Sequence, residues 1–310
     1  YQIFTSVEPA IAFIKENGAP IVVKADGLAA GKGVIVALSE NEAISSVKQM
    51  LSGGVFGEAG HRVVIEKFLE GEEASFIAMV DGKNVLPLAT SQDHKARDEG
   101  DEGPNTGGMG AYSPAPVVTE SVYNRIMEEV ILPTVAGMAA DGNEYKGFLY
   151  AGIMVSIDGD VNVVEFNCRF GDPEAMNVLS ILKSDFLAIC ISIVDGTLKE
   201  QEVSFESLAT VCKYVVPLGY PDKPSKGFEV RCNQNDSSLF LASVMMKNQK
   251  LIACGSRTAA VVGKSRDIGK AESIAEKGVS EISGSLFHRR DIGTEKLIGS
   301  RVQRMKDILR

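Results

Sequence analysis

The sequence predicts an α/β fold, with two α/β subdomains followed by a smaller C-terminal mixed domain. Three observations carry that expectation. Strand-like runs rich in Val and Ile alternate with capped amphipathic segments through the first eighty or so residues. A stretch dense in Gly, Pro, Asn and charge, 93–116, then precedes a second set of helix and hairpin signals, and short alternating strands follow a charged turn at 199–202. The boundaries are accordingly placed at 1–81, 82–203 and 204–310.

Thr5 with Glu8 reads as a capping box for a short helix with Val7, Ile11 and Ile14 on one face, closed by Asn17 and Gly18. Residues 21–24 and 34–37 are strands flanking the small-residue turn 25–33, which makes that turn a hairpin tip. Ser39 with Glu42 is a second capping box, ahead of a helix carrying Ala43, Ile44, Val47, Met50 and Leu51 on one face and stopped by Gly53 and Gly54. Strands at 63–65 and 74–80 complete the first unit. The stretch 93–116 has no periodicity and reads as a long loop with a task. Thr119 caps a helix running toward Met138 with a kink at Pro133, and 148–157 with 161–166 form a hairpin. A largely apolar helix runs from Glu174 to about Val194, and a last amphipathic helix lies around 270–279.

Composition excludes several function classes. At 45% hydrophobic and 24% charged residues over 310, the chain has the balance of a folded, water-soluble protein rather than a disordered one. No apolar run reaches the roughly 18 to 20 residues that a membrane span needs, and no basic-then-apolar leader stands at the start. A net charge of −9 repels a polyphosphate backbone, so nucleic acid is not an expected partner. The five cysteines are odd in number and lack any CxxC pair, which fits reduced thiols in a cytoplasmic protein and supports neither zinc nor a disulfide scaffold. No Ser-His-Asp or Cys-His grouping can be assembled, so covalent nucleophilic catalysis is not expected.

Four segments carry chemistry. The tip 27–33 offers backbone N–H groups free of bulky side chains, with Lys32 in the tip and Lys24 on the preceding strand, which suits phosphate oxygens. It falls one residue short of a Walker A loop and lacks the following Ser or Thr. The segment 64–73 combines a strand end, an acidic cluster and apolar residues, as an adenine and a ribose require. In 164–174, strand alternation places Glu165, Asn167 and Arg169 on one face, so hard oxygen donors suited to Mg²⁺ converge with a guanidinium suited to a phosphoryl or carboxylate group. The glycine-rich 103–110 has exposed amides for a further anion. Against these stand plainer readings: a solvated glycine hairpin, a solvated acidic face and a surface ion pair.

With those residues in view, the chain resembles the ATP-grasp ligases and, within them, the glycinamide ribonucleotide synthetase family of purine biosynthesis. The resemblance rests on IVVKADGLAAGKG at 21–33, VIEKFLEGEEAS at 64–75, GPNTGGMGAYSPAP at 103–116 and VEFNCRFGDPE at 164–174, and weakens after about Gly219. It implies two subdomains gripping ATP and a ligase that joins glycine to 5-phosphoribosylamine through glycyl phosphate. The alternatives are another ATP-grasp carboxylate ligase or carboxylase, or an ATP-binding fragment without turnover. By resemblance, Lys24 and Lys32 with Gly31 and Gly33 hold phosphates; Glu66, Lys67, Phe68 and Leu69 hold adenine, and Glu73 holds ribose. Glu165 and Asn167 take Mg²⁺, with Mn²⁺ as a substitute, while Arg169 and Lys32 are catalytic. Asp93, Asn105, Thr106, Gly107, Gly108, Met109, Gly110, Arg169, Asp172 and Pro173 contact the substrates. The family begins with an additional nucleotide-fold domain, so the resemblance implies a chain lacking that amino-terminal part. A cytoplasmic monomer is expected. The stretch 152–155 carries no acid where many relatives have one, which leaves metal binding to Glu165 and Asn167.

Overall fold

The computed structural model describes residues 1–27, 33–52, 60–156, 159–233 and 238–308, with the backbone alone of 305–308. The chain divides into two compact units, Tyr1–Glu70 and Gly71–Arg310.

In the first unit, β1 (Gln2–Phe4), α1 (Val7–Asn17), β2 (Ile21–Ala25), β3 (Val34–Ala37), α2 (Glu40–Leu51) and β4 (Val63–Lys67) build a four-stranded sheet of order β1-β4-β2-β3 with antiparallel pairs. Ala10 and Ile14 of α1 and Ala43, Val47 and Met50 of α2 pack with Ile21, Val23, Val63 and Ile65 into its core. The capping residue of α1 is Ser6, one position later than the sequence suggests, and its side chain makes no cap bond. Ser39 caps α2 as expected, accepting the Glu42 N–H at 3.3 Å, while the Glu42 carboxylate reaches back to the Leu38 N–H at 3.0 Å. The proposed helix stop at Gly53 and Gly54 lies outside the described residues.

The second unit begins with β5 (Gly71–Asp81), β6 (Val85–Pro87), β7 (Gln92–Asp93), β8 (Ala96–Asp98), β9 (Glu102–Asn105) and β10 (Gly110–Ser113). It continues through α3 (Glu120–Arg125), α4 (Leu132–Ala140), β11 (Lys146–Ser156), β12 (Val161–Asn167), α5 (Glu174–Leu179) and α6 (Phe186–Asp195). It closes with β13 (Ala209–Pro217), β14 (Glu229–Val230), β15 (Leu239–Leu241), β16 (Val244–Lys247), β17 (Lys250–Ala253), β18 (Ala259–Ser265), α7 (Ile268–Ser280), β19 (Leu286–Phe287) and α8 (Glu295–Ile308). One sheet has the order β12-β11-β5-β6, and another has β15-β18-β13-β10-β7 with β19 on β13.

The first compact unit ends at Glu70, earlier than the expected boundary at 81. Strand β5, which the sequence places in the first unit, pairs with β11 along its whole length from Gly71↔Ser156 to Asp81↔Lys146. Phe76, Ala78 and Val80 face one core with Ile126, Ile131 and Leu149, and Ile77 and Met79 face another with Ile189 and Ile193. A strand buried on both faces shows no alternation in sequence, so its partner cannot be read there. Strands on either side of residue 204 also pair, β10 with β13 from Gly110↔Lys213 to Ser113↔Thr210.

Three element expectations are also corrected. The long loop 93–116 contains three short strands and the last residue of a fourth, and of these β10 is wholly buried. The apolar helix from Glu174 breaks between Leu179 and Phe186, where the Asp185 carboxylate accepts the Leu187 and Ala188 N–H groups at 2.8 and 3.1 Å and starts a new helix. Helix α8 follows the one expected to be last, capped by Thr294 through the Leu297 N–H at 3.3 Å. At Pro133 the structure bears out an irregularity. A π segment, Ile126–Ile131, precedes α4, and the Leu132 N–H reaches Met127 O, so the ladder is re-spaced next to the residue that lacks a donor.

Candidate functional site

The site is built on the end of β12 and the strands beside it. Glu165 and Asn167 share a face, as alternation requires, and the Asn167 amide donates to Glu165 Oε1 at 3.1 Å. Opposite Glu165 stands Gly152, where even a Cβ would lie 3.4 Å from the Glu165 side chain. Arg169 does not continue the strand. Beyond Asn167 the chain bends, and the Arg169 guanidinium donates to Phe170 O at 2.7 Å and makes no ion pair among the described residues. The convergence of three side chains on one strand face therefore holds for the first two only.

Two strands over, Glu73 on β5 forms an ion pair with Lys95, whose Nζ is also 4.0 Å from Glu165 Oε1. Burial alone would lower the Lys95 pKa, but the Glu73, Asp93 and Glu165 carboxylates outweigh it and raise it, so this lysine carries a fixed positive charge among three acids. Asp93 behaves oppositely. Loss of hydration, then the Glu174 carboxylate, pushes its pKa well above the usual range against the pull of Lys95. Glu174 opens α5 as a buried acid, accepting from Ser75 Oγ at 2.7 Å, while Ser75 also meets the Tyr150 hydroxyl at 3.0 Å. A Cβ on Gly171 would strike the Glu174 carboxylate at 2.3 Å, so glycine is what lets the turn close on it.

The glycine-rich loop is not the open cradle that the sequence suggests. The Thr106 N–H and hydroxyl both donate to Lys95 O, at 2.7 and 2.8 Å, and the Gly108 N–H donates back to Thr106 Oγ1 at 3.0 Å. The Gly107 N–H goes to the Tyr220 hydroxyl at 3.3 Å and the Met109 N–H to His94 O at 2.8 Å. Those four amides are therefore used internally; of 103–110 only Gly103, Asn105 and Gly107 are exposed, and Asn105 alone of these brings a side chain. Gly108 has φ +109°, and a Cβ there would lie 2.6 Å from Pro173 Cδ and 2.7 Å from Asp93 Oδ1, so the loop sits directly on the Asp172–Pro173 turn. Gly110 and Met109 are buried structural residues. The Lys95 backbone thus holds the glycine loop while its ammonium holds the carboxylates.

Behind Glu73, its neighbour Glu72 turns the other way. Arg304 Nε lies 2.8 Å and Arg301 Nη1 3.7 Å from its carboxylate, and burial still raises its pKa against these cations. Arg301 and Arg289 also bind Asp101 at 2.6 and 3.0 Å. Burial opposes ionisation of Asp101, yet Arg301, His94 and Arg289 hold it down to about 2. Helix α8 is thereby fastened to the strand that presents Glu73. His94, buried beside Tyr112 with neither ring nitrogen bonded, has its pKa pushed well down by that burial, in keeping with a structural histidine.

In the first unit, Lys24 pairs with Glu66 at 2.5 Å across β2 and β4, so this lysine already has a carboxylate partner. Lys67 is exposed, and Phe68 and Leu69 are half-buried in an irregular segment. Gly33 closes the hairpin through Ala25 N–H to Gly33 O at 2.7 Å; Gly31 and Lys32 lie outside the described residues. Sequence reasoning left Lys95 and Glu174 off the site although each adjoins a chosen motif. It had no signal for Arg257, Tyr214 or Tyr220, whose partners are more than forty residues away.

Known proteins match this chain along most of its length. The family model described as phosphoribosylglycinamide synthetase, ATP-grasp (A) domain, matches residues 1–175, and that of the C domain matches residues 210–295, so the likeness continues past Gly219, where the sequence motifs thin out. The phosphoribosylamine–glycine ligase of Pasteurella multocida is 52% identical over 297 residues, covering 94% of this chain and 69% of the relative. That of Haemophilus influenzae is 52% identical over 298 residues, covering 94% and 70%. The crystal structure of the Thermotoga maritima phosphoribosylamine–glycine ligase superposes with a TM-score of 0.87 at 33% identity, over 94% of this chain and 73% of that one. The biotin carboxylase domain of Hydrogenobacter thermophilus 2-oxoglutarate carboxylase, with a TM-score of 0.67 at 18% identity, shares the fold alone.

Proposed function

The chain belongs to the phosphoribosylglycinamide synthetase family of ATP-grasp ligases, and from that premise we propose that it joins glycine to 5-phosphoribosylamine at the expense of ATP, giving glycinamide ribonucleotide, ADP and phosphate. The observation that carries the reading is the meeting of the glycine-rich loop with the Glu165–Asn167 strand end through one residue, Lys95.

A carboxylate is unreactive toward amines until it is activated, and phosphoryl transfer from ATP to glycine makes the acyl phosphate that the amine then attacks, expelling phosphate. Catalysis lies in positioning and in offsetting charge, with no covalent enzyme intermediate. Lys24 leaves Glu66 to meet phosphate oxygens, together with Lys32 and the Gly31 and Gly33 amides. The segment 66–69 takes adenine, and Glu73 takes ribose. Glu165 presents a half-exposed carboxylate and Asn167 holds its amide against it through the nitrogen; with the amide turned so that its oxygen leads, the pair would be hard oxygen donors suited to Mg²⁺ or Mn²⁺. Bound there, the ion supplies positive charge to the ATP phosphates. Arg169, exposed and without a carboxylate partner among the described residues, offers its planar fork to the acyl phosphate. Lys95 draws Glu73 and Glu165 toward its charge and orients both. Asp93, Asn105 and the loop to Gly110 border the amine substrate beside Asp172 and Pro173.

Among the described residues no helix is long and apolar enough to cross a membrane. A cytoplasmic monomer is part of the same reading, and light scattering on the purified chain checks the second half of it. The activity is tested by ADP release with glycine or phosphoribosylamine omitted in turn. Release that needs both supports the ligase; release that needs neither, or none at all, overturns it.

A further inference from the structure

Asp172 stands in the turn against which the glycine loop rests, and both its carboxylate oxygens are taken. The Tyr214 hydroxyl donates to Oδ1 at 2.8 Å, and Arg257 Nη2 donates to Oδ2 at 2.7 Å. The other terminal nitrogen of Arg257 donates to three backbone carbonyls, Asp172 O at 2.8 Å, Gly107 O at 2.5 Å and Gly108 O at 3.2 Å. The guanidinium also lies 4.7 Å from the centre of the Tyr214 ring, and its side chain is 17% exposed. A Cβ at Gly107 would come within 3.2 Å of the guanidinium carbon, so the loop backbone lies against the cation's face. The same surface receives the Gly107 N–H on Tyr220 and passes Tyr214 N–H to Met109 O at 2.9 Å. A rigid, always-charged fork meeting one carboxylate and three carbonyls is a latch that an ammonium cannot reproduce, because Lys has no fixed donor plane.

We propose that Arg257, with Tyr214, is the positioning residue of the amine-substrate site: it latches the glycine-rich loop onto the Asp172–Pro173 turn and so sets where the loop's exposed edge, at Asn105, stands relative to the activated carboxylate. The 210–295 region then serves the substrate geometry and not only the stability of the unit. This deepens the proposed function and rests on it. The hydrogen bonds of Arg257 go to the loop and the turn, and to none of Glu73, Glu165 or Asn167. Loss of the latch therefore acts on one substrate.

The experiment compares Arg257→Lys, Arg257→Ala and Tyr214→Phe with the parent chain by steady-state kinetics and amide hydrogen exchange. Arg257→Lys should raise KM for phosphoribosylamine roughly tenfold while KM for ATP stays within about twofold, and Tyr214→Phe should raise the former about threefold. Methylguanidinium should restore part of what Arg257→Ala loses. In exchange, the Thr106–Met109 amides should open at least about tenfold faster in Arg257→Lys, with the amides of β11 unchanged. ATP and amine KM values rising together, neither rising, or exchange that is unaltered or raised throughout the unit overturns the proposal. If Arg257→Ala does not fold, the Lys and Phe variants decide. If the parent chain shows no turnover that needs both substrates, the functional reading fails, and the exchange comparison still decides whether the latch exists.

Discussion

The glycine-rich loop and the end of β12, adjoining parts of the proposed site, are held in opposite ways. In the loop, four successive amides from Thr106 to Met109 are bonded to protein, two carbonyls are held by Arg257, and Met109 is buried. At the strand end, Glu165 is half exposed, Arg169 is exposed, and their polar groups meet little besides Asn167, Lys95 and one carbonyl. A loop whose polar groups are already satisfied has a shape before any substrate arrives. A strand end with open carboxylate, amide and guanidinium groups has its partners still to come. Substitutions in the first should therefore register in stability as well as in affinity, and those in the second in turnover alone.

The largest expected effect breaks the loop. Gly108→Ala puts a Cβ against Pro173 and Asp93 at a positive φ, and should cost about 3 kcal/mol in urea unfolding. A loss below about 0.5 kcal/mol would mean that the loop yields, and the contrast with β12 would vanish. Next is Glu165→Gln, which keeps shape but removes the charge proposed to face a divalent ion. Turnover should fall on the order of 100-fold, about 2.7 kcal/mol of barrier, with unfolding unchanged within about 0.5 kcal/mol. Equal loss of ATP binding with and without Mg²⁺ would remove Glu165 from the metal site. Arg169→Lys keeps charge and loses the fork, so turnover should drop roughly tenfold, about 1.4 kcal/mol, with nucleotide affinity nearly retained. Unchanged turnover takes Arg169 out of the mechanism.

The smallest effect is a slope. Asp93 has its folded pKa raised by lost hydration and by Glu174, so its contribution to stability is present below the ordinary carboxylate range and is lost as pH rises through the folded value. His94, with its folded pKa lowered by burial, contributes in the other direction, its share being present above about 6.5 and lost as pH falls. The difference between the parent chain and Asp93→Asn isolates the first. Unfolding free energy should decline with rising pH above about 4 in the parent relative to the variant. Parallel curves would show that Asp93 is not desolvated in the folded chain.

The two regions also differ in how far sequence could see them. Glu165 and Asn167 are two residues apart on one strand, and a period of two puts them together without any knowledge of the rest of the molecule. The same rule fails for Arg169 because the strand stops at Asn167. The glycine loop was legible as a motif but not as a shape, since its amides are met by groups such as Lys95 O and the Tyr220 hydroxyl and its carbonyls by Arg257, the last 150 residues from Gly107. The hairpin of β2 and β3 and the Ser39 cap were readable because their partners lie within a few residues. Strand β5 was readable as a strand and misread as to its sheet. Both its faces are buried, and its partner β11 begins 65 residues after β5 ends.

By itself the sequence determined what is local: which runs are strands, where helices are capped, which short segments hold donors suited to phosphate, metal and substrate, and from those segments the family. These follow from periodicity, side-chain-to-backbone bonds over a few residues and donor chemistry, all written in adjacent positions. The tertiary structure decided which strands share a sheet, that the first unit ends at Glu70, that Lys95 joins the carboxylates, and that Asp172 is held by Tyr214 and Arg257. Those outcomes depend on burial and on ion pairs between residues far apart in the chain, whose energies exist only once packing has excluded water around them.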